Sequence, residues 1–481
     1  VAARKNKATP GQVLVDQLAM GVRQAESAPR AGARELPVVH GLTFKGECLN
    51  LENVLVQAGD ILVETGRVYS YGTSIVMEKP VPGEAVPGRV TLFSGKAEVG
   101  AEDNLANLFV CSEYPLGRAI QFSPQRGFVD VLLRSEPFVD RLPRIRQYAR
   151  APVFDSEFKL RGPGWHPDTG ILVHGPQVDP APFVLGGKDT PVLHRLPPHL
   201  RELLRDFCFA TPADLANTVA MLLTGLLVNH FVQEPKPLGI LDGNQPSVGK
   251  TWLCRTIGIV LGGTDPDLIL YTPDDEELAK RLCATLVAGR DRVLVFDNAR
   301  TKGGAVLESA AIEKNCVAPE ISLRILGKSR NLTKPNDLLW FITMNRTRAN
   351  SDLVSRCLPI RLEYEGDPKD RTFLGTSPLD YARDHRLALL GELAGMVMHW
   401  VQRGRPVGNY AHRCGPWAKT IGGIMMACGF PEFLGNLAES ASDFSTELDD
   451  LSALAEAAAQ VGRPFAYLSD TSSSTSNNLP E

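Results

Sequence analysis

Cysteine never occurs here as a motif. The nine cysteines, at positions 48, 111, 208, 254, 283, 316, 357, 414 and 428, stand singly with no C-x-x-C among them. That excludes a disulfide framework and a zinc site built on such pairs, and it points to a reducing cytoplasm. Long hydrophobic runs are missing too. The longest, VAMLLTGLLV, is flanked by Asn217, Asn229 and His230; it is too short for a bilayer and reads as a buried helix, so no membrane association is expected. The basic N-terminus, VAARKNKATPGQ, leads into no apolar segment and is not read as a secretory signal. The first residue, Val1, fits a fragment or a non-ATG start. The nine histidines form no H-E-x-x-H, and there is no N-K-x-D stretch of the kind that reads guanine. Charge of one sign is lacking as well, with a net of -4. This excludes a uniformly basic nucleic-acid coat but not a local basic groove.

What is present divides along the chain. Residues 1–36 read as a flexible basic arm. Residues 37–193 are rich in Gly and Pro with short β-type runs such as DILVETGRVYSYG and RVTLFSG, and they predict an irregular β-rich region. From 194 to 368 near-continuous apolar strands (Leu238–Leu241, DLILYT, RVLVF, LLWFITMN, PIRLEY) alternate with helices. That is the α/β pattern of a parallel sheet covered on both faces. One helix opens with Thr211 as N-cap, Pro212 and Asp214; another opens at Thr272-Pro273 with acids in its first turn. Residues 369–462 are mainly helical, and 463–481 form a polar, disordered tail.

The chemistry centres on LGILDGNQPSVGKTWLCRTIGIVLGG. Gly249, Lys250 and Thr251 fall between a strand and a helix, as a phosphate loop requires. There, backbone N–H groups and the helix N-terminus meet phosphate oxygens, the lysine neutralises them, and the Thr hydroxyl ligates Mg2+. Two positions depart from the usual glycines: Asn244 at the first and Ser247 at the inner one. Asp297 ends the strand VLVFD, and in a parallel sheet it should face the same crevice and help hold the magnesium. The residue after it is Asn298 rather than a water-activating Glu. Three explanations stay open: Asp297 orients water itself, another carboxylate does so, or turnover is slow. Asn345 ends the next apolar strand, where an amide can orient water or contact the γ-phosphate. Arg356 follows near the end of a short helix, placed to reach a neighbouring subunit's γ-phosphate; Arg361, within a strand, is the second choice. Between the Asp297 and Asn345 strands, ISLRILGKSRNLTKPND reads as a hairpin carrying Arg324, Lys328, Arg330 and Lys334, cations able to track a phosphate backbone.

The set GNQPSVGKT, VLVFDN, LRILGKS, FITMN and SDLVSRCLPIRL resembles the AAA+ ATPase module, close to the superfamily III helicases of phage and mobile-element primase–helicases. The likeness covers about residues 150–440 and implies a P-loop AAA+ core at 194–368 that uses ATP and Mg2+. It further implies a homo-oligomer, usually a hexameric ring, with single-stranded DNA in its pore. Lys250 and Thr251 match the Walker A pair, Asp297 the Walker B acid, Asn345 the first sensor and Arg356 the arginine finger. Lys328 and Arg330 match the DNA hairpin loosely. No primase motif is present. The expected function is an ATP-dependent DNA helicase or translocase in replication. The alternative is an ATP-binding DNA scaffold or helicase loader, which Asn298 and the loop departures favour.

Overall fold

A computed structural model of the chain describes residues 36–42, 50–71, 74–79, 89–93, 110–113, 120–122, 128, 131–149, 151–174, 176–187, 189–288, 292–300, 307–325, 331–345, 349–371 and 374–437. The N-terminal arm up to residue 35, the C-terminal tail, Lys328 and Arg330 lie outside them.

Contacts divide the chain into two units: Val1–Val68 with Phe93–Leu142, and Tyr69–Leu92 with Pro143–Glu481. The first holds a three-stranded sheet in the order Val38–His40, Val110–Glu113, Ile120–Phe122, its first pair parallel and its second antiparallel. It also holds a helix, Leu51–Glu64, capped by Asn50. Only short β-runs are expected there from the sequence, so the helix is a correction. Val54, Leu55, Ala58 and Leu62 are buried at helical spacing, and that face outweighs the β-branched residues of DILVE.

In the second unit the elements that frame the site are, in chain order, α1 (Pro212–Leu226), β1 (Leu238–Gly243), α2 (Lys250–Gly262), β2 (Leu268–Leu270), α3 (Asp275–Ala288) and β3 (Val293–Ala299). There follow α4 (Ala310–Val317), β4 (Glu320–Arg324), β5 (Asn331–Pro335), β6 (Leu339–Met344), α5 (Ser351–Ser355), β7 (Cys357–Leu362), α6 (Pro378–Asp384), α7 (Arg386–Gln402) and α8 (Gly415–Ala427). Strands β2-β3-β6-β1-β7 make one five-stranded sheet, parallel throughout. Alternate residues feed two cores, as the pleat demands. Val293, Val295, Leu339 and Phe341 pack toward the side of α1, α2, α7 and α8. Leu294, Phe296, Trp340 and Ile342 pack with Leu278 and Leu282 of α3 and Ile312 of α4. Trp340 is fully buried and stacks on Phe296 at 5.8 Å; emptying such a site costs roughly 3–5 kcal/mol. The helices that follow the sheet share one apolar cluster with it.

Thr211 caps α1 in a full capping box with Asp214, as its sequence implies. For α3 the cap is corrected. Asp274, not Thr272, accepts from the N–H groups of Glu276 and Glu277 at 3.0 and 3.1 Å, because its carboxylate sits next to the first turn while Thr272 reaches only Asp274 N. Strands β4 and β5 pair antiparallel as the hairpin. Arg324 is exposed at its far end, whereas Lys334 pairs with Asp337 at 3.2 Å. No described helix is long and apolar enough to cross a membrane.

Candidate functional site

The carboxyl ends of β1, β3 and β6 open on one cavity of about 580 Å³, a size ordinary for small-molecule sites. The loop from β1 to α2 forms one wall, and its backbone explains its sequence. At Gly243 a Cβ would stand 2.7 Å from both Lys250 Nζ and Val248 Cγ2, so no side chain fits. Gly249 takes φ +106 as N-cap of α2 and offers no side-chain cap. The first N–H groups of the helix are therefore uncapped where Gly249, Lys250 and Thr251 line the cavity, an arrangement that favours an anion. Ser247 holds φ +64, a left-handed conformation that costs a residue with a Cβ about 1–2 kcal/mol.

Three chain-distant side chains meet at this wall. Lys250 Nζ donates to Asn345 Oδ1 at 2.7 Å and to the Gln245 carbonyl at 3.2 Å. Thr251 Oγ1 donates to Asp297 Oδ1 at 2.8 Å. Burial lowers the pKa of the Lys250 ammonium, against the pull of Asp242 and Asp297. Such a cation is stabilised by any anion that enters. Among the described residues no cluster of His, Cys, Asp and Glu is arranged to hold a metal without other donors.

Asn244, expected at the site, and Arg356, expected to reach a neighbouring subunit's site, both lie off this cavity. The Asn244 amide is spent on Tyr364, donating to the carbonyl at 3.0 Å and accepting from the N–H at 3.2 Å, while its own N–H goes to Leu362 O. It ties the loop to the chain beyond β7, helped by Gln245 Nε2 on Tyr364 O and Gly366 O at 2.7 and 2.9 Å. The Arg356 guanidinium pairs with Asp352 at 2.6 Å and donates to the Glu313 carbonyl at 2.7 Å. Arg361, the second choice, is buried in β7. Glu308 and Glu313 do not line the cavity either.

Other residues enter that sequence reasoning did not find. Thr343, in β6, donates to Asp297 Oδ1 at 2.7 Å and accepts from the Asn298 N–H at 2.9 Å. Asn298 itself is left-handed at φ +57, in a register shift of β3 between Phe296 and Ala299. Phe207 reaches the mouth because the chain 207–210 runs beside β7, Ala210 N bonding Arg361 O and Glu363 N bonding Cys208 O. Arg371 lines the same mouth, donating to Val248 O at 2.9 Å. Trp252 is exposed and lines the cavity. Of these only Thr343 carried a signal, its place beside Asn345 in FITMN.

No family model matches the sequence, and no curated protein matches it. Among solved structures it is similar to the apo C-terminal region of NrS-1, at 10% identity and TM-scores of 0.39 and 0.38, covering 71% of this chain and 69% of that one. It is also similar to the JCV helicase, bound to an inhibitor, at 17% identity and a TM-score of 0.26, covering 43% of this chain and 54% of that one. At these scores the likeness carries no inference about the chemistry of this chain.

Proposed function

We propose that the chain is a Mg2+-dependent P-loop ATPase acting on DNA, a helicase or translocase in replication of a phage or mobile element. One observation carries the reading. The Lys250 ammonium, the Asp297 carboxylate and the Asn345 amide, far apart in sequence, line one cavity beside an uncapped helix N-terminus. Lys250 would hold the β- and γ-phosphates, and the anion would offset the cost of burying its charge. Thr251 and Asp297, already joined hydroxyl to carboxylate at 2.8 Å, would hold the magnesium, which when bound neutralises the phosphates and keeps them in line. Asn345 is near enough to Lys250 to orient water toward the same phosphate. Arg356 would act across a subunit boundary in a ring, and the hairpin bearing Arg324, with Lys328 and Arg330, would face single-stranded DNA in its pore.

The test is ATP turnover of the purified chain with and without single-stranded DNA, with Lys250→Ala as control, alongside strand displacement. DNA-stimulated turnover that Lys250→Ala abolishes is expected. Turnover indifferent to DNA with no strand displaced removes the motor. A second reading, an ATP-binding scaffold or loader, is favoured by one feature: Asp297 is the only carboxylate among the described residues lining the cavity, and Asn298 stands where a water-activating acid would be. Steady hydrolysis abolished by Asn345→Ala would remove that reading.

A further inference from the structure

Sequence alternation assigns Asp297 and Asn298 to opposite faces of β3. The structure does not keep that alternation. The register shift between Phe296 and Ala299 and the left-handed backbone of Asn298 turn the end of the strand, so that Asp297, Asn298 and Arg300 all line the cavity. Bulges beside active sites re-aim side chains in this way. Thr343 fastens the turn, with one bond to the Asp297 carboxylate and one from the Asn298 N–H.

Among the described residues three arginines line this cavity, and two are engaged. Arg255 is paired with Asp265, and Arg371 donates to Val248 O. Arg300 is exposed, and no bond joins it to a described residue. Its charge reaches Lys250: burial lowers the pKa of that ammonium most, Asp242 and Asp297 raise it, and Arg300, the least of the causes, lowers it. Two cations held within electrostatic reach around one cavity suit a multiply charged anion.

We propose that Arg300 is a catalytic cation supplied in cis, contacting the terminal phosphate of the nucleotide bound to Lys250 of its own chain. The inference rests on the ATPase reading and goes further, because beside Arg356 from a neighbouring subunit it adds a second cation supplied by the subunit that holds the nucleotide. In the step, the water oxygen bonds to the γ-phosphorus as the bridging P–O bond breaks. The electron pair leaves on the β-phosphate of ADP, and the proton of water passes to the phosphate released. Arg300 exchanges no proton; it bears on the charge spread over the γ-oxygens.

The experiment measures ATP turnover and ATP binding of the full chain, wild type against Arg300→Ala and Arg300→Lys, and of each mixed with Lys250→Ala. Arg300→Ala should lose at least ~100-fold in kcat with ATP still bound. It should also lose the tightening that aluminium fluoride gives to ADP. Arg300→Lys should recover part of the rate. Mixing Arg300→Ala with Lys250→Ala should restore nothing, since each site needs both residues on one chain. Wild-type turnover in Arg300→Ala overturns the proposal, and so does activity regained on mixing, which would place the arginine across a subunit boundary. A wild type that binds no ATP would end the ATPase reading instead, and the proposal with it.

Discussion

The sheet buries a lysine at each of its rims, and the two differ in what they face. At the carboxyl rim Lys250 is 7% exposed, on a cavity, its ammonium shared between Asn345 and the Gln245 carbonyl. At the opposite rim Lys236, just before β1, is 2% exposed and donates to the Asn336 carbonyl at 2.6 Å. Asn336 is itself locked. Its Nδ2 donates to the carbonyls of Asn315, Cys316 and Ala318, and its Oδ1 accepts from Trp340. Burial lowers the pKa at both lysines, at Lys236 to about 8. Depth and a shifted pKa therefore do not separate a lysine proposed to meet a ligand from a structural one. Access does: a sealed ammonium fixes a fold, and one that opens on a cavity beside a helix N-terminus fits an anion.

The sharpest way to break the comparison is to remove each charge. Lys250→Met should weaken ATP binding or turnover by ~100-fold or more with the fold intact by circular dichroism. Lys236→Met should leave ATP affinity within a few-fold and act on stability. Equal loss of ATP binding in both variants would make the two rims equivalent.

How far the sequence spoke differs in the same way between the rims. The five strands, the loop with Lys250 and Thr251, and the residues Asp297 and Asn345 were legible, because apolar runs that end in a polar residue mark the carboxyl rim of a parallel sheet. Asn244 was misread, since a sequence cannot show that an amide is spent on the backbone of Tyr364. Arg300 was missed because strand alternation says nothing of a bulge, and Thr343 because a hydroxyl inside an apolar strand looks like core. The helix Leu51–Glu64 was hidden by β-branched residues within a helical pattern.

Titration gives the next test. The folded pKa of Lys236, about 8, lies below its unfolded value near 10.5. Between the two the unfolded chain holds the extra proton, so this group makes stability rise with pH across that window and contributes no slope below it. The change is about 3 kcal/mol at most. In denaturant titrations from pH 7 to 10.5, wild type should gain on Lys236→Met only above pH 8. A parallel pair of curves would remove the buried charge from the account. For Lys250 the same direction holds for the empty site and should be reversed by ATP, because the anion favours the charged form.

The smallest effect sharpens the loop itself. Ser247 sits at φ +64 without glycine's freedom, while Gly249, two residues on, takes φ +106. Ser247→Gly relieves about 1 kcal/mol of left-handed strain, but glycine loses more freedom on folding and takes back a part of roughly 0.5–1 kcal/mol. The net gain should be under about 1 kcal/mol, read as a small rise in Tm. The Lys250 site should stay intact, because Asn244 and Gln245 still hold the loop to Tyr364. Gly249→Ala makes the opposite change, adding a Cβ where the helix cap is left-handed, and it should cost stability and ATP affinity together. If Ser247→Gly also weakened ATP binding, the serine hydroxyl would have to be a ligand group, not a tolerated departure from the glycine pattern.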